Sequence, residues 1–194
     1  MKYSDYTVTR NLTWEIMIRE EITKLPIMVG DLCKQMGIHI CLYNRSAEHP
    51  YDGFTTRVQD VLCIFVARDC TVERQRFTAA HELGHILLGH VGKYELVNRE
   101  PSARDNPIEQ AANVFASRLL APACVLWALN LHTPEEIARL CNISYQSASF
   151  RAARMEILYK RDKFLTSPFE QRVYDQFKPF ILKTKIKRFW TGLE

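Results

Sequence analysis

Residues 76–90 read RFTAAHELGHILLGH, and the pentapeptide HELGH at 81–85 places two histidines four residues apart. On an α-helix, residues four apart differ in direction by about 40° and in height by about 6 Å. His81 and His85 therefore present two imidazoles on one helix face, close enough to bind a single metal ion. Glu82 projects about 100° away from His81. That direction suits a general base that acts on a water molecule beside the ion better than it suits a third ligand.

The residues around this pentapeptide predict a buried helix rather than a surface helix with two incidental histidines. Gly84 lies inside the helical pattern, where glycine costs about 1 kcal/mol relative to alanine. Its presence calls for a reason such as close approach of another backbone. Ala79 and Ala80 make the same helix slim, and the leucines beside them supply its buried side. Thr71 can cap the helix at its start, and the pattern predicts that the helix runs through His90.

Two histidines do not complete a catalytic zinc site, which takes three protein ligands and one open position. The elongated pattern HExxHxxGxxH would need glycine at 88 and histidine at 91, but the chain has Leu88 and Val91. On a continuing helix His90 points about 140° away from His85, so it would be a poor ligand. The third ligand is therefore expected from a later element.

Three glutamates follow the helix as candidate ligands. Glu95 and Glu100 lie in a polar segment broken by prolines, whereas Glu109 lies on the next predicted helix. Asn113 follows Glu109 by four residues and shares its helix face. Glu109 can therefore reach the metal while the Asn113 carboxamide oxygen accepts the second N–H of a ligand histidine. This spacing favours Glu109, although a solvated glutamate near a helix N-terminus would also be ordinary.

The remaining pattern predicts an α+β fold that is mostly helical with a small β-sheet. Two helices are expected before residue 37, and strands are expected at 38–43, 54–58 and 61–69. Later helices are expected to begin near Pro107, Ala123, Pro134 and Tyr145. The C-terminal tail is expected to be helical but interrupted near Pro179.

Composition and charge limit the classes of function. The chain has 194 residues, 25% charged residues and a formal net charge of +4, which is too weak to indicate a polyanion as partner. Residues 164–194 carry six Lys/Arg against three Asp/Glu, so most of the net charge lies there. The longest strongly apolar run, VLCIFVA, is too short to span a bilayer, and the N-terminus lacks a signal-peptide pattern. We therefore expect a cytoplasmic protein without membrane association and with six reduced cysteines.

Two segments, RFTAAHELGHILLGH and then EQAANVFASRLLAP, resemble the ImmA/IrrE family of metallopeptidases, whose signature is RFTxAHELGH followed by ExxANxFAxxLLxP. The resemblance extends more loosely over residues 20–160. It implies a compact zincin-like core in which His81, His85 and Glu109 bind zinc. The chemistry of two histidines and one glutamate favours zinc and also allows manganese. The resemblance also implies that Glu82 is the catalytic base and that Asn113 holds a ligand histidine from outside. The usual LLMP of the family is LLAP here, a change that touches no chemistry.

Three segments follow from this resemblance and from the helical pattern. Residues 1–130 are expected to form the zincin-like metallopeptidase core. Residues 131–163 contain ARLCNISYQSASFRAARM, which fits a helix-turn-helix outline. Residues 164–194 are expected to form a basic C-terminal helical tail. The sequence does not define an oligomeric state.

The resemblance implies hydrolysis of a peptide bond in a helix-turn-helix repressor, as expected of an anti-repressor from a phage or integrative element. Tyr94 and His90 are candidate oxyanion partners. Two alternatives stay open: a DNA-binding regulator, and a non-catalytic protein, stabilised by zinc, that titrates a repressor. Residues 133–163 carry six Lys/Arg against four Asp/Glu, a balance that argues against nucleic acid as the main partner. An intact Glu82 argues against the non-catalytic alternative.

Overall fold

The computed structural model describes residues 2–91 and 106–191 of the chain. Within these ranges the fold is α+β and mostly helical, with one three-stranded sheet, as the sequence predicted. The elements in chain order are α1 (Tyr3–Arg19), α2 (Val29–Gln35), β1 (His39–Tyr43), β2 (Gly53–Val58), β3 (Val61–Ala67), α3 (Val72–Leu87), α4 (Pro107–Leu120), α5 (Ala123–Ala128), α6 (Pro134–Cys141), α7 (Tyr145–Arg161) and α8 (Pro168–Thr191).

The chain forms two compact units, and each unit is discontinuous in sequence. Unit 1 comprises Met1–Arg10 and Met28–Ala116, and unit 2 comprises Asn11–Ile27 and Ser117–Glu194. Two of the three divisions between the units therefore fall inside α1 and α4, and the third falls between Ile27 and Met28, just before α2. The three-segment division predicted from the sequence, with ends at residues 130 and 163, stays a prediction.

The sheet belongs to unit 1 and has the strand order β1-β3-β2. β1 runs parallel to β3, with His39 opposite Cys63, and β2 runs antiparallel to β3, with Thr55 opposite Ile64. The central position of β3 explains its apolar sequence, because Ile64 and other residues of that strand are almost fully buried. α3 packs against β2 and β3, which places the HELGH helix beside the edge strand β2.

α3 begins where the sequence predicted but ends earlier. The Thr71 hydroxyl accepts a hydrogen bond from the Arg74 backbone N–H at 3.3 Å and caps the helix. The prediction that the helix runs through His90 was wrong, because Gly89 has a φ of +70°. Glycine takes this left-handed conformation without steric cost and ends helices in this way. The chain therefore turns away from the helix axis after Leu88, the C-terminal cap.

Unit 2 contains the helix-turn-helix-like segment. Thr133 and Glu136 form the capping box that starts α6, with each side chain bonded to the backbone of the other. Asn142, with a φ of +51°, ends α6, and Ser144 caps α7. The two helices are thus joined by a turn of three residues, and they pack against each other.

α8 is one helix and also belongs to unit 2. The predicted interruption near Pro179 was wrong, since α8 continues through that residue to Thr191. Phe177 and Ile181 lie on either side of the proline and are 0% and 6% exposed. Their burial holds the helix together although proline removes one of its backbone hydrogen bonds.

One stretch of the described residues, Pro107–Ala128, is long and apolar enough to cross a membrane. Its most apolar window is 72% buried inside the protein, and a buried core helix meets the same criteria. This stretch, which contains α4 and α5, is therefore weak evidence for a membrane span.

Candidate metal centre

Three side chains of unit 1 converge at the point where α3 meets the first turn of α4. The two Nε2 atoms of His81 and His85 lie 3.0 Å apart. Glu109 places Oε2 at 3.1 Å from His81 Nε2 and Oε1 at 3.2 Å from His85 Nε2. The structure thus brings together the three residues that the sequence predicted as metal ligands. The competing candidates Glu95 and Glu100 lie outside the described residues.

The burial of this cluster, and a carboxylate oxygen in it that lacks a hydrogen-bond donor, are what a metal-binding site would show. His85 and Glu109 are each 6% exposed, and within residues 2–91 and 106–191 no hydrogen bond satisfies Glu109 Oε1, despite its nearness to His85. Zinc ligands at about 2.0 to 2.2 Å lie roughly 3.3 Å apart when their bonds make a tetrahedral angle, close to the separations seen here. Two imidazole nitrogens and one carboxylate are therefore a donor set that could hold a divalent metal ion.

Glu109 is held in its ionised form. Burial alone would raise the pKa of this carboxyl group, but its contacts with His81 and then His85 outweigh burial and hold the pKa of Glu109 well below its ordinary value. A negative charge facing two imidazoles is the form that binds a metal cation.

Each of the two histidines has a partner on its other ring nitrogen. His81 Nδ1 lies 3.0 Å from Asn113 Oδ1, and a carboxamide oxygen only accepts, so His81 Nδ1 donates. The proton on Nδ1 leaves the Nε2 lone pair directed at the cluster. His85 Nδ1 lies 3.0 Å from His90 Nδ1. The Asn113 contact matches the expectation from the sequence, whereas the His90 contact was missed because the helix was expected to continue.

Glu82 lies on the same helix and is 1% exposed. Its Oε2 accepts a hydrogen bond of 2.9 Å from Thr55 Oγ1 on the edge strand β2. A buried carboxylate needs such a donor, and this one fixes the orientation of the Glu82 side chain. The sequence did not indicate Thr55, because its position beside α3 depends on the pairing of β2 with β3. Tyr94, one of the two oxyanion candidates, lies outside the described residues.

Gly84 leaves room at the site for a side chain of α4. A Cβ atom added at Gly84 would lie 3.0 Å from Cδ1 of Phe115 on α4, and Phe115 is fully buried. Ala80 and Ala112 are both 0% exposed. The sequence predicted close approach of another backbone at Gly84, but the atoms nearest to this position belong to the Phe115 side chain.

We expect Thr55→Val to slow the hydrolysis that the sequence resemblance implies by about 10-fold or more, since a hydrogen bond to a charged group contributes about 1.5 to 3 kcal/mol. The loss should fall on kcat with KM unchanged, because Thr55 orients Glu82. Thr55→Ser keeps the hydroxyl and should retain most of the rate. Thr56→Val, on the opposite face of the same strand, is the control. Equal kcat values in the Val and Ser variants at position 55 would contradict this role.

A helix that carries HExxH and meets a glutamate from the next helix is the arrangement of zincin-like metallopeptidases with two histidine ligands and one glutamate. The family model described as the IrrE N-terminal-like domain, Peptidase_M78, matches residues 33–153, and the chain belongs to this family. It is the family that the two sequence segments indicated.

A solved structure described as a Mycobacterium tuberculosis transcriptional regulator is 13% identical and has a TM-score of 0.48. The similarity covers 88% of this chain and 50% of that chain, so this chain spans half the length of the regulator. No curated protein matches the chain.

Proposed function

We propose that this protein is a zinc-dependent endopeptidase that hydrolyses a peptide bond in a helix-turn-helix transcriptional repressor. It would act in the cytoplasm as the anti-repressor of a phage or integrative element. The observation that carries the proposal is that Glu109 of α4 lies against His81 and His85 of α3. α3 also holds Glu82. Two histidines and a glutamate favour zinc over manganese, which prefers oxygen-rich sites.

The residues of the chain have distinct roles in this reaction. When bound, zinc supplies the positive charge that polarises the peptide carbonyl and acidifies the attacking water. Asn113 holds the His81 ring in the tautomer that binds metal. Thr55 orients the Glu82 carboxylate, and Glu82 takes a proton from the attacking water and delivers it to the leaving amine.

Unit 2 offers a surface for a protein partner. The buried side of α8 packs within unit 2, but four large apolar side chains on the other side of this helix are exposed by 52% to 79%: Leu182, Ile186, Phe189 and Trp190. Their spacing of four, seven and eight residues places them on one helix face. Lysines flank this apolar face, namely Lys183, Lys185 and Lys187. Such a face suits a partner with an apolar centre and an acidic rim.

The structure argues against the DNA-binding alternative, because one basic residue of the helix-turn-helix-like segment is buried. Arg151 of α7 is 3% exposed, and its Nε donates to the Ala121 backbone carbonyl at 2.7 Å. A side chain used in this way does not reach a phosphate. The charge balance and this burial both favour a protein partner over operator DNA.

The function is tested by incubating the zinc-loaded protein with the repressor encoded beside it, with and without a chelator. We expect one specific cleavage that the chelator stops and added zinc restores. Relief of repression without cleavage would favour the titrating protein. Specific nanomolar binding of this protein alone to the repressor's operator, in a gel shift at physiological salt, would favour the DNA-binding alternative.

The partner surface is tested by substitution, because deleting residues 164–194 would remove the buried Val173 and Phe177. Leu182→Ser with Phe189→Ser should slow cleavage of the folded repressor but leave cleavage of a short peptide spanning the same bond unchanged. Val8→Ser is the control, since Val8 is 62% exposed and lies on α1. An equal effect on both substrates, or no effect on either, would contradict recognition by this face.

A further inference from the structure

The turn after α3 returns the chain to the last ligand histidine. The Gly89 N–H donates to the Ile86 carbonyl at 3.1 Å, and the His90 N–H donates to the His85 carbonyl at 2.9 Å. With the left-handed Gly89, this pair of bonds is a Schellman motif, in which the second residue after the cap lies against the residue five positions earlier. That contact is often apolar. Here it joins two imidazoles, those of His90 and His85.

The hydrogen-bond roles of these two rings follow from the geometry. The Nδ1 atoms of His85 and His90 lie 3.0 Å apart, and the ring centroids are 5.1 Å apart. One of the two nitrogens must donate and the other must accept. His85 Nε2 faces His81 and Glu109, so its lone pair must be available if the cluster binds a metal. The proton of His85 then lies on Nδ1, and His90 Nδ1 is the acceptor.

We propose that His90 is a positioning residue of the metal centre, which holds His85 by accepting its Nδ1–H and is itself placed by the Gly89 turn. The proposal rests on the metal binding proposed above, and His90 is not a ligand in it. Asn113 has the equivalent role for His81. One ligand histidine is thus oriented from the neighbouring helix, and the other from the end of its own helix.

The requirement at position 90 is an acceptor bonded directly to Cγ. Histidine Nδ1 and asparagine Oδ1 share this place in their side chains, so His90→Asn keeps an acceptor near the His85 ring. His90→Phe keeps a flat ring but has no acceptor, and His90→Ala has neither. These three variants separate hydrogen bonding from packing.

The test is the zinc affinity of the full chain, measured by competition with a chromophoric chelator. His90→Ala and His90→Phe should bind zinc about 10- to 100-fold more weakly than the wild type, as expected for loss of an outer partner of a ligand. His90→Asn should recover most of the affinity. In the zinc-loaded wild type and Asn variant, the His85 Nδ1–H should give an NMR signal protected from exchange with water, and this protection should be lost in the Phe variant.

Two results would overturn the proposal. Wild-type affinity in His90→Phe would show that the acceptor is not needed, and equal weakening in His90→Asn and His90→Phe would show that an acceptor at position 90 does not restore zinc binding. The comparison of Asn with Phe decides the question even if the Ala variant fails to fold. Because the readout is zinc affinity, an inactive wild type that binds zinc leaves the test intact, whereas a wild type that binds no zinc would overturn the metal centre and this proposal together.

Discussion

Glu82→Gln is expected to keep the fold and the bound zinc but to hydrolyse its substrate about 10²- to 10⁴-fold more slowly, the usual contribution of a general base. The amide has nearly the shape of the carboxylate, and its oxygen can still accept the Thr55 hydrogen bond. It cannot take a proton from water. The measurement is the cleavage rate at saturating zinc, with metal content determined on the same sample.

The matched control is Glu73→Gln, which removes a carboxylate from the first turn of the same helix. That variant should cleave at the wild-type rate. If Glu82→Gln with full zinc cleaved as fast as the wild type, Glu82 would not be the base. If the wild type cleaved nothing but still relieved repression, the non-catalytic function would replace the peptidase.

Glu109→Ala is expected to lower zinc affinity strongly. Loss of a residue that only hydrogen-bonds to a metal ligand costs about 10- to 100-fold, and loss of the ligand Glu109 should cost more. The substitution removes one of the three donor groups of the cluster and the only negative charge among them. His81 and His85 would remain as a two-nitrogen site without charge compensation. Emission spectroscopy after dialysis against limiting zinc measures the occupancy.

Glu95→Ala and Glu100→Ala are the controls for this experiment, because both glutamates follow α3 in the sequence and competed with Glu109 as candidates. Both variants should keep full zinc occupancy. Full occupancy in Glu109→Ala, or its loss in either control, would mean that the third ligand had been misassigned.

The sequence predicts those parts of the site that depend on spacing within one helix. His81 and His85 on α3, and Glu109 and Asn113 on α4, are pairs four residues apart, so each pair shares a face in any regular helix. That Glu109 and Asn113 should lie against His81 and His85 was expected because a zinc site needs a third ligand, and because of the family resemblance. The structure places them within hydrogen-bonding distance.

Contacts that depend on the path of the chain were not predictable in the same way. Thr55 meets Glu82 across 27 positions of sequence, and only the arrangement of the sheet brings them together. The return of His90 to His85 did have a local signal, because glycine after a helical pattern indicates a C-terminal cap. The apolar residues that follow the HELGH motif favoured a longer helix, so this signal was not used. At Pro179 the local preference of proline predicted an interruption, but burial of the neighbouring residues outweighs that preference and the helix continues.

The hydrogen bonds of Gln176 have a consequence for the synthesis of this protein. Gln176 Nε2 on α8 donates to the backbone carbonyls of Met17 at 2.8 Å and Ile22 at 2.6 Å, and the first of these bonds spans 159 positions. Ribosomes add roughly 5 to 20 residues per second, so the end of α1 waits on the order of 10 to 30 s for this partner. During that interval unit 2 is incomplete and the apolar side chains of Ile16 and Met17 cannot yet be buried in it. The nascent chain is therefore a candidate for chaperone binding.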